Sequence, residues 1–308
     1  MFNRKRILLI IVLLMFSLLI TSCSSSDESE KVAVDKTNME SETPNSDSQE
    51  DNESKIDDPE QVVVEEQILF DQDEIRITLK SLKDDGMFGP SLQVLVENDS
   101  QQPITVQTRD SSVNDLMIET MFSCDVVPGK KANDSITFMS SDLKNSGITT
   151  IQNIEFEFHV FNSDTWDGIL DSDTIIIKTS ADQSYVQDYD DSGVLILDEN
   201  GIKMVMKKVN SSDSFWGADV YVYIENNSGD DITIQTRDVS INGFMVSPIF
   251  SSEIVAGKKA YDTITFFESD LLDNDITSID NMELSFHIFE SKIWDTVLDT
   301  QMIEVTFE

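Results

Sequence analysis

The segment ITVQTRD at residues 104–110 returns as ITIQTRD at residues 232–238, 128 positions later in a chain of 308 residues. The same spacing relates the flanking sequence without a gap as far as the C-terminus. Self-similarity at a fixed spacing indicates one structural unit that occurs more than once. The sequence therefore predicts module 1 at residues 62–180, module 2 at residues 193–308, and a linker at 181–192 between them.

Each module reads as a series of short β-strands separated by turns rich in Gly, Asn and Asp. Apolar or β-branched residues alternate with polar ones, as expected for strands that bury one face. The predicted strands are 74–79, 91–97, 104–109, 135–139, 154–161 and 174–179 in module 1, and 201–206, 219–225, 232–237, 263–267, 282–289 and 302–307 in module 2. Asn242-Gly243 predicts a tight hairpin because both of its positions tolerate positive φ, and Asn114-Asp115 is its counterpart in module 1. The hairpin would place the strand that contains ITIQTRD beside FMVSPIF.

One segment in each module departs from the strand pattern. SSDLKNSGI at 140–148 and ESDLLDNDI at 268–276 begin with residues that cap helices, so a single helical turn is predicted there. Seven or so short strands with regular turns favour an all-β fold of two tandem immunoglobulin-like antiparallel β-sandwich domains. A closed barrel is the alternative.

The N-terminus has the order of features found in a lipoprotein signal peptide. The basic segment Arg4–Arg6 precedes an apolar run at residues 7–20 that is short for a membrane span. Small residues before Cys23 resemble a bacterial lipobox, which implies removal of residues 1–22 and lipidation of Cys23. That resemblance predicts anchoring in the cell membrane, with the modules on its extracellular face. An uncleaved N-terminal anchor is the alternative.

Residues 23–61 predict a disordered acidic tether between the lipid anchor and module 1. The segment has no aromatic residue, and its acidic side chains far outnumber its lysines. It cannot bury enough apolar surface to offset the loss of chain entropy on folding. The tether would hold the modules away from the membrane.

The composition argues against several classes of protein. A formal net charge of −38 argues against binding to nucleic acid or to anionic lipid headgroups, both of which require basic surfaces. The chain has two cysteines, Cys23 and Cys124, so lipidation of the first leaves no intrachain disulfide. Ser252 replaces Cys124 in module 2, which favours a half-buried small side chain over a nucleophile.

Six short motifs occur in both modules in the same order: I-T-[VI]-Q-T-R-D, G-K-K-A, D-[ST]-I-T-F, S-D-L, F-H-[VI]-F and W-D. Together they resemble the tandem immunoglobulin-like (telokin-like) domains of surface lipoproteins from Gram-positive bacteria. The resemblance covers residues 65–180 and 193–308. It implies a fold and a cell-surface location, and it implies no activity and no catalytic residues.

Three pairs of side chains are candidate binding residues because they recur at matching positions: Arg109 and Arg237, His159 and His287, and Trp166 and Trp294. Arginine suits carboxylate or phosphate ligands, and a tryptophan in a loop can stack on a sugar. The structural alternatives are an ion pair for each arginine, a position on the less buried strand face for each histidine, and packing at the sandwich end for each tryptophan. One histidine per module is too few for a zinc site.

The linker contains the spacing of a calcium loop. The residues at positions 1, 3, 5, 6 and 12 of an EF-hand pattern are Asp188, Asp190, Ser192, Gly193 and Glu199. The segment SADQSYVQ before the loop is a poor candidate for the entering helix of an EF-hand. The repeat predicts a strand where the exiting helix of an EF-hand would be. Asp188, Asp190 and Glu199 are therefore candidate ligands of a looser Ca²⁺ site that would stiffen the linker, and no other cofactor is predicted.

The sequence contains no G-x-S-x-G, H-E-x-x-H, phosphate-binding glycine loop or C-x-x-C. It predicts a non-enzymatic, lipid-anchored extracellular protein that presents two modules for binding or for envelope support. Two like modules favour avidity for a repeated target, such as a cell-wall polymer or an envelope protein. One alternative is an envelope-acting enzyme or enzyme accessory, which requires a concave acidic pocket with a carboxylate of raised pKa. The other is a calcium-stiffened surface rod.

Overall fold

A computed structural model describes residues 62–84, 86–210 and 217–307. The signal peptide, Cys23 and the tether, all predicted within residues 1–61, lie outside the described residues. The described chain belongs to one compact unit and is built of β-strands with two short helices. The all-β prediction is confirmed.

The elements of the two modules correspond one to one, except that β6 has only an isolated bridge as its counterpart. The strands of module 1 are β1 (Gln67–Gln72), β2 (Ile75–Lys83), β3 (Ser91–Asn98), β4 (Ile104–Val113), β5 (Leu116–Met117), β6 (Thr120–Met121), β7 (Ser123–Val126), β8 (Lys130–Phe138), β9 (Asn153–Asn162), β10 (Gly168–Asp171) and β11 (Ile175–Lys178), and its helix is α1 (Ser140–Asn145). The strands of module 2 are β12 (Val194–Glu199), β13 (Ile202–Asn210), β14 (Gly217–Asn226), β15 (Ile232–Ile241), β16 (Phe244–Met245), β17 (Ser251–Ile254), β18 (Lys259–Phe267), β19 (Asn281–Glu290), β20 (Thr296–Asp299) and β21 (Ile303–Thr306), and its helix is α2 (Glu268–Asp273).

Each module consists of two antiparallel sheets with a core between them. In module 1 the first sheet has the order β1-β2-β3-β8-β6, and the second is built on β4 and β9 with β7, β10 and β11 as their further partners. Module 2 repeats this arrangement with β12-β13-β14-β18 and with a sheet built on β15 and β19. Two such sheets make an immunoglobulin-like β-sandwich, so the barrel alternative is not adopted.

Each module has its own hydrophobic core. Strand β9 shows how the core is filled, because Phe156 and Phe158 are fully buried while Glu157 and His159 on the opposite face are only partly buried. Burying a phenylalanine side chain contributes about 2 kcal/mol. Several such side chains in each module, with no disulfide needed, account for two folded domains.

Both predicted hairpins form, with positive φ at Asn114-Asp115 and at Asn242-Gly243. The segment after the second hairpin is not one continuous strand. Phe244–Met245 pairs with β15, and the chain then crosses to the opposite sheet, where Ile249 bridges Thr265. It returns to β15 as β17, so FMVSPIF is shared between two sheets.

The predicted helical turns form as α1 and α2, but their capping differs from the prediction. The N-cap positions are Met139 and Phe267, and neither helix has a side-chain cap hydrogen bond. Ser140 and Glu268 are the first residues inside their helices rather than caps. Packing contributes to holding α1 in place, because Leu143 is buried in the core of module 1.

The two modules share one sheet through a single parallel bridge. Strand β5 of module 1 lies beside β18 of module 2, with Leu116 opposite Lys259. The backbone N–H of Lys259 donates to the backbone oxygen of Asp115 at 2.9 Å. We call the contact between residues 114–117 and residues 258–261 the module joint.

Ion pairs and the linker reinforce the module joint. Lys258 Nζ lies 2.8 Å from Asp115 Oδ1 and 2.7 Å from Glu155 Oε1, both in module 1. Burial lowers the pKa of Lys258, but the hydrogen bonds to these carboxylates outweigh it and leave the pKa raised. The Tyr189 hydroxyl of the linker donates to the Asn114 backbone oxygen at 3.0 Å. The linker is therefore packed into the joint.

Candidate functional site

An aromatic surface lies on the outer face of the β4–β9 sheet in module 1. Trp166, in the turn between β9 and β10, has a φ of 64° and is 68% exposed. Its ring stacks on Phe161 with the centroids 5.5 Å apart and the planes 18° apart, and Phe161 lies 5.5 Å from the ring of His159. We call these three rings the aromatic platform of module 1.

Module 2 carries the same platform. Trp294 has a φ of 67°, is 72% exposed and stacks on Phe289 at 5.1 Å and 13°. The His287 ring lies 5.2 Å from Phe289. Ile293 beside Trp294 is also exposed, where module 1 has Thr165. The platform of module 2 is therefore the more apolar of the two.

A row of polar side chains crosses the strands beside each platform. In module 1, His159 Nδ1 lies 2.5 Å from Asp171 Oδ1, and Gln107 sits opposite His159 on the neighbouring strand. Gln107 Nε2 donates to Ser123 Oγ at 3.3 Å. The corresponding row in module 2 is Ser251, Gln235, His287 and Asp299. Hydrogen-bonding groups beside a flat aromatic surface are suited to a ligand with both polar and apolar faces.

The candidate arginines extend the same face at the other side of the polar row. Arg109 lies two residues from Gln107 on β4 and pairs with Glu157 in the strand register. Arg237 occupies the equivalent place on β15, and its Nη1 lies 3.4 Å from Asp299 Oδ1. Both side chains of this ion pair are exposed. The structure thus brings the three candidate residues of each module onto one sheet face.

Sequence reasoning missed the carboxylates that hold the histidines. Asp171 ends the segment ILD at 169–171, and Asp299 ends the matching segment VLD at 297–299. The recurrence of this aspartate in both modules could have singled it out. Phe161 lies two residues after His159 on β9, and the two rings are on the same face of the sheet. Only the tertiary structure shows that Trp166 covers Phe161.

The structure does not bring the candidate calcium ligands together. Lys207 Nζ lies 2.8 Å from Asp190 Oδ2, and this contact, with those from Ser192, lowers the pKa of Asp190. Glu199 ends β12, about 16 Å along an extended strand from Val194. Within residues 62–84, 86–210 and 217–307, no group of three or more His, Cys, Asp or Glu side chains is placed to hold a metal ion.

An acidic cleft of about 1110 Å³ lies between the modules, beside the module joint. Asp110 and Glu119 line it from module 1, and Asp262 lines it from module 2. Burial raises the pKa of all three carboxyl groups, and that of Asp110 reaches about 6. Repulsion from Glu253 of module 2 adds to the shift at Asp110.

The pKa of Asp110 predicts a pH dependence of stability. Because the folded-state pKa lies above that of the unfolded chain, the folded state binds the proton more tightly, and stability falls as the pH rises from about 4 to 6. Asp110 lies in a β-bulge of β4, between Arg109 and Ser112, with a φ of 53°. Asp110→Asn removes the penalty of burying the charge, and asparagine tolerates this φ. We expect the variant to unfold at higher urea concentration than the parent at pH 7.5, with the difference shrinking towards pH 4.5.

The matched control is Asp238→Asn. Asp238 occupies the same bulge in module 2, at a φ of 52°, and is exposed. Equal stabilisation by both substitutions would trace the effect to the bulge and contradict a role for the cleft. Burial is the main cause of the raised pKa of Asp110, and the charges of Glu253, Glu157, Asp231 and Lys292 contribute less. Moderate salt should therefore weaken only the smaller, charge-dependent part of the pH dependence.

Cys124 is buried rather than half-buried as predicted, with 2% of its surface exposed. Burial raises the pKa of its thiol to about 12, with a further contribution from Asp134. The thiol is therefore protonated at neutral pH, and the thiolate is the reactive form of cysteine. The burial of Cys124 and the raised pKa of its thiol support its interpretation as a packing residue.

Two packed sheets in each of two repeated modules define a tandem immunoglobulin-like β-sandwich protein. No protein-family model matches the chain, and no curated protein is similar to it in sequence. The helices of the described part are too short to cross a membrane.

Several solved structures are distantly similar. The complex of the SafA pilin with the SafB chaperone from Salmonella enterica has 9% identity and a TM-score of 0.21, covering 70% of this chain and 89% of that one. The YadV chaperone has 9% identity and a TM-score of 0.23, and the match covers 70% of this chain and 92% of that one. The CsuC-CsuE chaperone-tip adhesion subunit complex from Acinetobacter baumannii has 12% identity and a TM-score of 0.20. That match covers 71% of this chain and 92% of the other. Similarity at this level says nothing about function.

Proposed function

We propose that this chain is a non-enzymatic, lipid-anchored extracellular binding protein whose two aromatic platforms engage repeating units of a cell-wall polymer. The observation that carries the proposal is the recurrence of the exposed Trp–Phe–His surface, with its polar row, in both modules. A solvent-exposed tryptophan stacked on a second ring leaves one aromatic face free for a ligand. Sugar rings offer an apolar face for that ring and hydroxyl groups for the His–Asp and Gln–Ser pairs.

The arrangement of two platforms on one chain adds affinity for a polymer. Once one platform is bound, the second binds at a high effective concentration. Because the linker is packed into the module joint, little linker entropy is lost when both platforms bind. A repeated ligand would therefore be held far more tightly than a single sugar unit.

The proposed location rests on the N-terminal sequence. Arg4–Arg6, the apolar run at 7–20 and Cys23 occur in the order of a lipoprotein signal, and the acidic segment up to residue 61 supplies a spacer. Lipidation of Cys23 would place the platforms within reach of the wall. Labelling with a fatty-acid analogue that is lost in Cys23→Ala tests this part of the proposal.

Substitution of the tryptophans tests polymer binding. We expect Trp166→Ala and Trp294→Ala each to weaken co-sedimentation with purified insoluble cell-wall polymer by about tenfold, because a central exposed aromatic contact is removed. The double variant should lose about a hundredfold or more, since avidity is lost as well. The measurement is the bound fraction across a series of polymer concentrations.

Phe88→Ala is the matched control, because Phe88 is an exposed aromatic residue outside both platforms. It should bind as the parent does. Parent-like binding by the double tryptophan variant, or no binding by the parent protein, would contradict the proposal.

The acidic cleft favours a second candidate function, an envelope-acting hydrolase. Its Asp110, with a pKa of about 6, has the raised pKa that a general acid needs near neutral pH. This candidate predicts that the parent protein releases soluble fragments from wall polymer and that Asp110→Asn does not. Absence of fragment release by the parent protein would remove it.

A further inference from the structure

The hairpin of module 2 exposes apolar surface at the place where module 1 is covered. Leu116 is fully buried, and Met117 packs against the core of module 2. Their counterparts Phe244 and Met245 are 48% and 66% exposed. We call residues 242–245 the free tip.

The receiving side of the module joint also has a free counterpart. In module 2, Lys258 and Lys259 are partly covered and Ala260 is buried. At the matching positions of module 1, Lys130 and Lys131 are exposed and Ala132 is only partly buried. The sequence G-K-K-A is the same in both places. We call residues 130–132 the free edge.

We propose that the free tip of one chain binds the free edge of a second copy, so that the module joint is repeated between chains. The occupant follows from the fold itself, because module 1 and module 2 already bind each other through the corresponding residues. The contact joins module 2 of one chain to module 1 of the next and is therefore heterologous, so it leads to an open array, or to a ring where the rotation closes, rather than to a twofold dimer. The proposal does not depend on polymer binding by the platforms.

The side chains at the free ends are complementary. In the module joint Lys258 pairs with Glu155, and the corresponding pair between chains is Lys130 with Glu283. Gly243 stands at the position of Asp115, so the contact between chains has one carboxylate fewer than the module joint. Phe244 stands at the position of Leu116 and has the larger apolar side chain.

Charge and local concentration determine the conditions under which the chains should associate. The net charge of −38 makes two chains repel one another at low ionic strength, whereas the contact itself is partly apolar. Association should therefore strengthen as salt is added. Anchoring in a membrane would raise the local concentration of chains and favour the array.

Cysteine crosslinking of the full-length chain on living cells tests the proposal. Leu116 lies opposite Lys259 in the module joint, so the matching pair between chains is Phe244 and Lys131. We expect the double variant Phe244→Cys with Lys131→Cys to give a ladder of disulfide-linked multimers under mild oxidation. The two single variants, expressed together, should give a dimer that contains one chain of each kind.

Matched variants separate this contact from others. Met245→Asp in the double-cysteine background should reduce the ladder about tenfold or more. Met302→Asp, at an exposed methionine outside the tip, should not reduce it. Phe244 and Lys131 are exposed side chains, and an unchanged thermal unfolding curve will establish that the cysteine variants fold.

Three results would overturn the proposal. One is the absence of multimers in the folded double variant. The second is efficient crosslinking of Phe244→Cys alone, which would indicate contact between two tips. The third is a ladder that Met302→Asp weakens as much as Met245→Asp does.

Discussion

Asn98→Ala and Asn226→Ala are each expected to lower the free energy of unfolding of their module by about 3 kcal/mol. Both asparagines are completely buried at the end of a strand. Asn98 Nδ2 donates to the backbone oxygens of Gln102 and Val126 at 2.9 and 2.8 Å, and Asn98 Oδ1 accepts from the backbone N–H of Ser100 at 3.0 Å. Alanine would leave these backbone groups without their partners, and the backbone oxygen of Val126 would remain buried without a hydrogen bond.

The same network in module 2 makes the prediction a paired one. Asn226 Nδ2 donates to Asp230 and Ile254, and its Oδ1 accepts from the N–H of Ser228. Urea unfolding followed by tryptophan fluorescence reports on one module at a time when the tryptophans of the other module are replaced by phenylalanine, because Trp166 lies in module 1 and Trp216 and Trp294 lie in module 2. The exposed Asn227→Ala is the matched control and should cost less than about 0.5 kcal/mol. A loss below about 1 kcal/mol in both asparagine variants would contradict the assigned role.

Gly89→Ala is expected to destabilise module 1 by roughly 2–4 kcal/mol. Gly89 has a φ of 141°, and a Cβ there would lie 2.1 Å from the backbone oxygen of Phe138. The loop would have to move away from the end of β8, with loss of the hydrogen bond from Ser140 N to Phe88 O. Gly217 meets the backbone oxygen of Phe266 in the same way in module 2, so the close approach is a feature of the module.

Gly129→Ala is the control that isolates this steric effect. Gly129 also has positive φ, at 68°, but nothing lies within 4 Å of a Cβ built on it. Its replacement should cost only the backbone preference, about 1 kcal/mol. Equal losses in the two variants, measured as urea midpoints, would show that the close approach at Gly89 contributes nothing of its own.

Much of the fold could be predicted because its signals are local. Alternation of apolar and polar residues located the long strands, and Asn242-Gly243 located a hairpin, since each signal depends on neighbours in the chain. The capping of α1 was predicted wrongly because Ser140 and Ser141 look like caps, while the tertiary packing places Met139 at that position. Asn98 was missed because a polar residue at a strand end resembles an ordinary turn residue.

The candidate site was predictable only in its parts. Recurrence singled out Trp166, His159 and Arg109, but no sequence rule joins a turn residue to side chains on two neighbouring strands. Register decides that association, because it sets Gln107 opposite His159 and Asp171 on its other side. The position of the acidic cleft was unforeseen as well, since the cleft is formed by residues that are distant in sequence and belong to different modules.

The sequence by itself determined that one β-rich module occurs twice, since a shared pattern of 128-residue spacing needs no knowledge of contacts. Tertiary structure alone decided how the surroundings of equivalent residues differ between the two copies. Leu116 is covered while Phe244 is exposed, and Asp110 lies in a cleft while Asp238 does not. The physical reason is that burial and pKa depend on which surfaces meet, and equivalent residues acquire different surroundings once one module packs against the other.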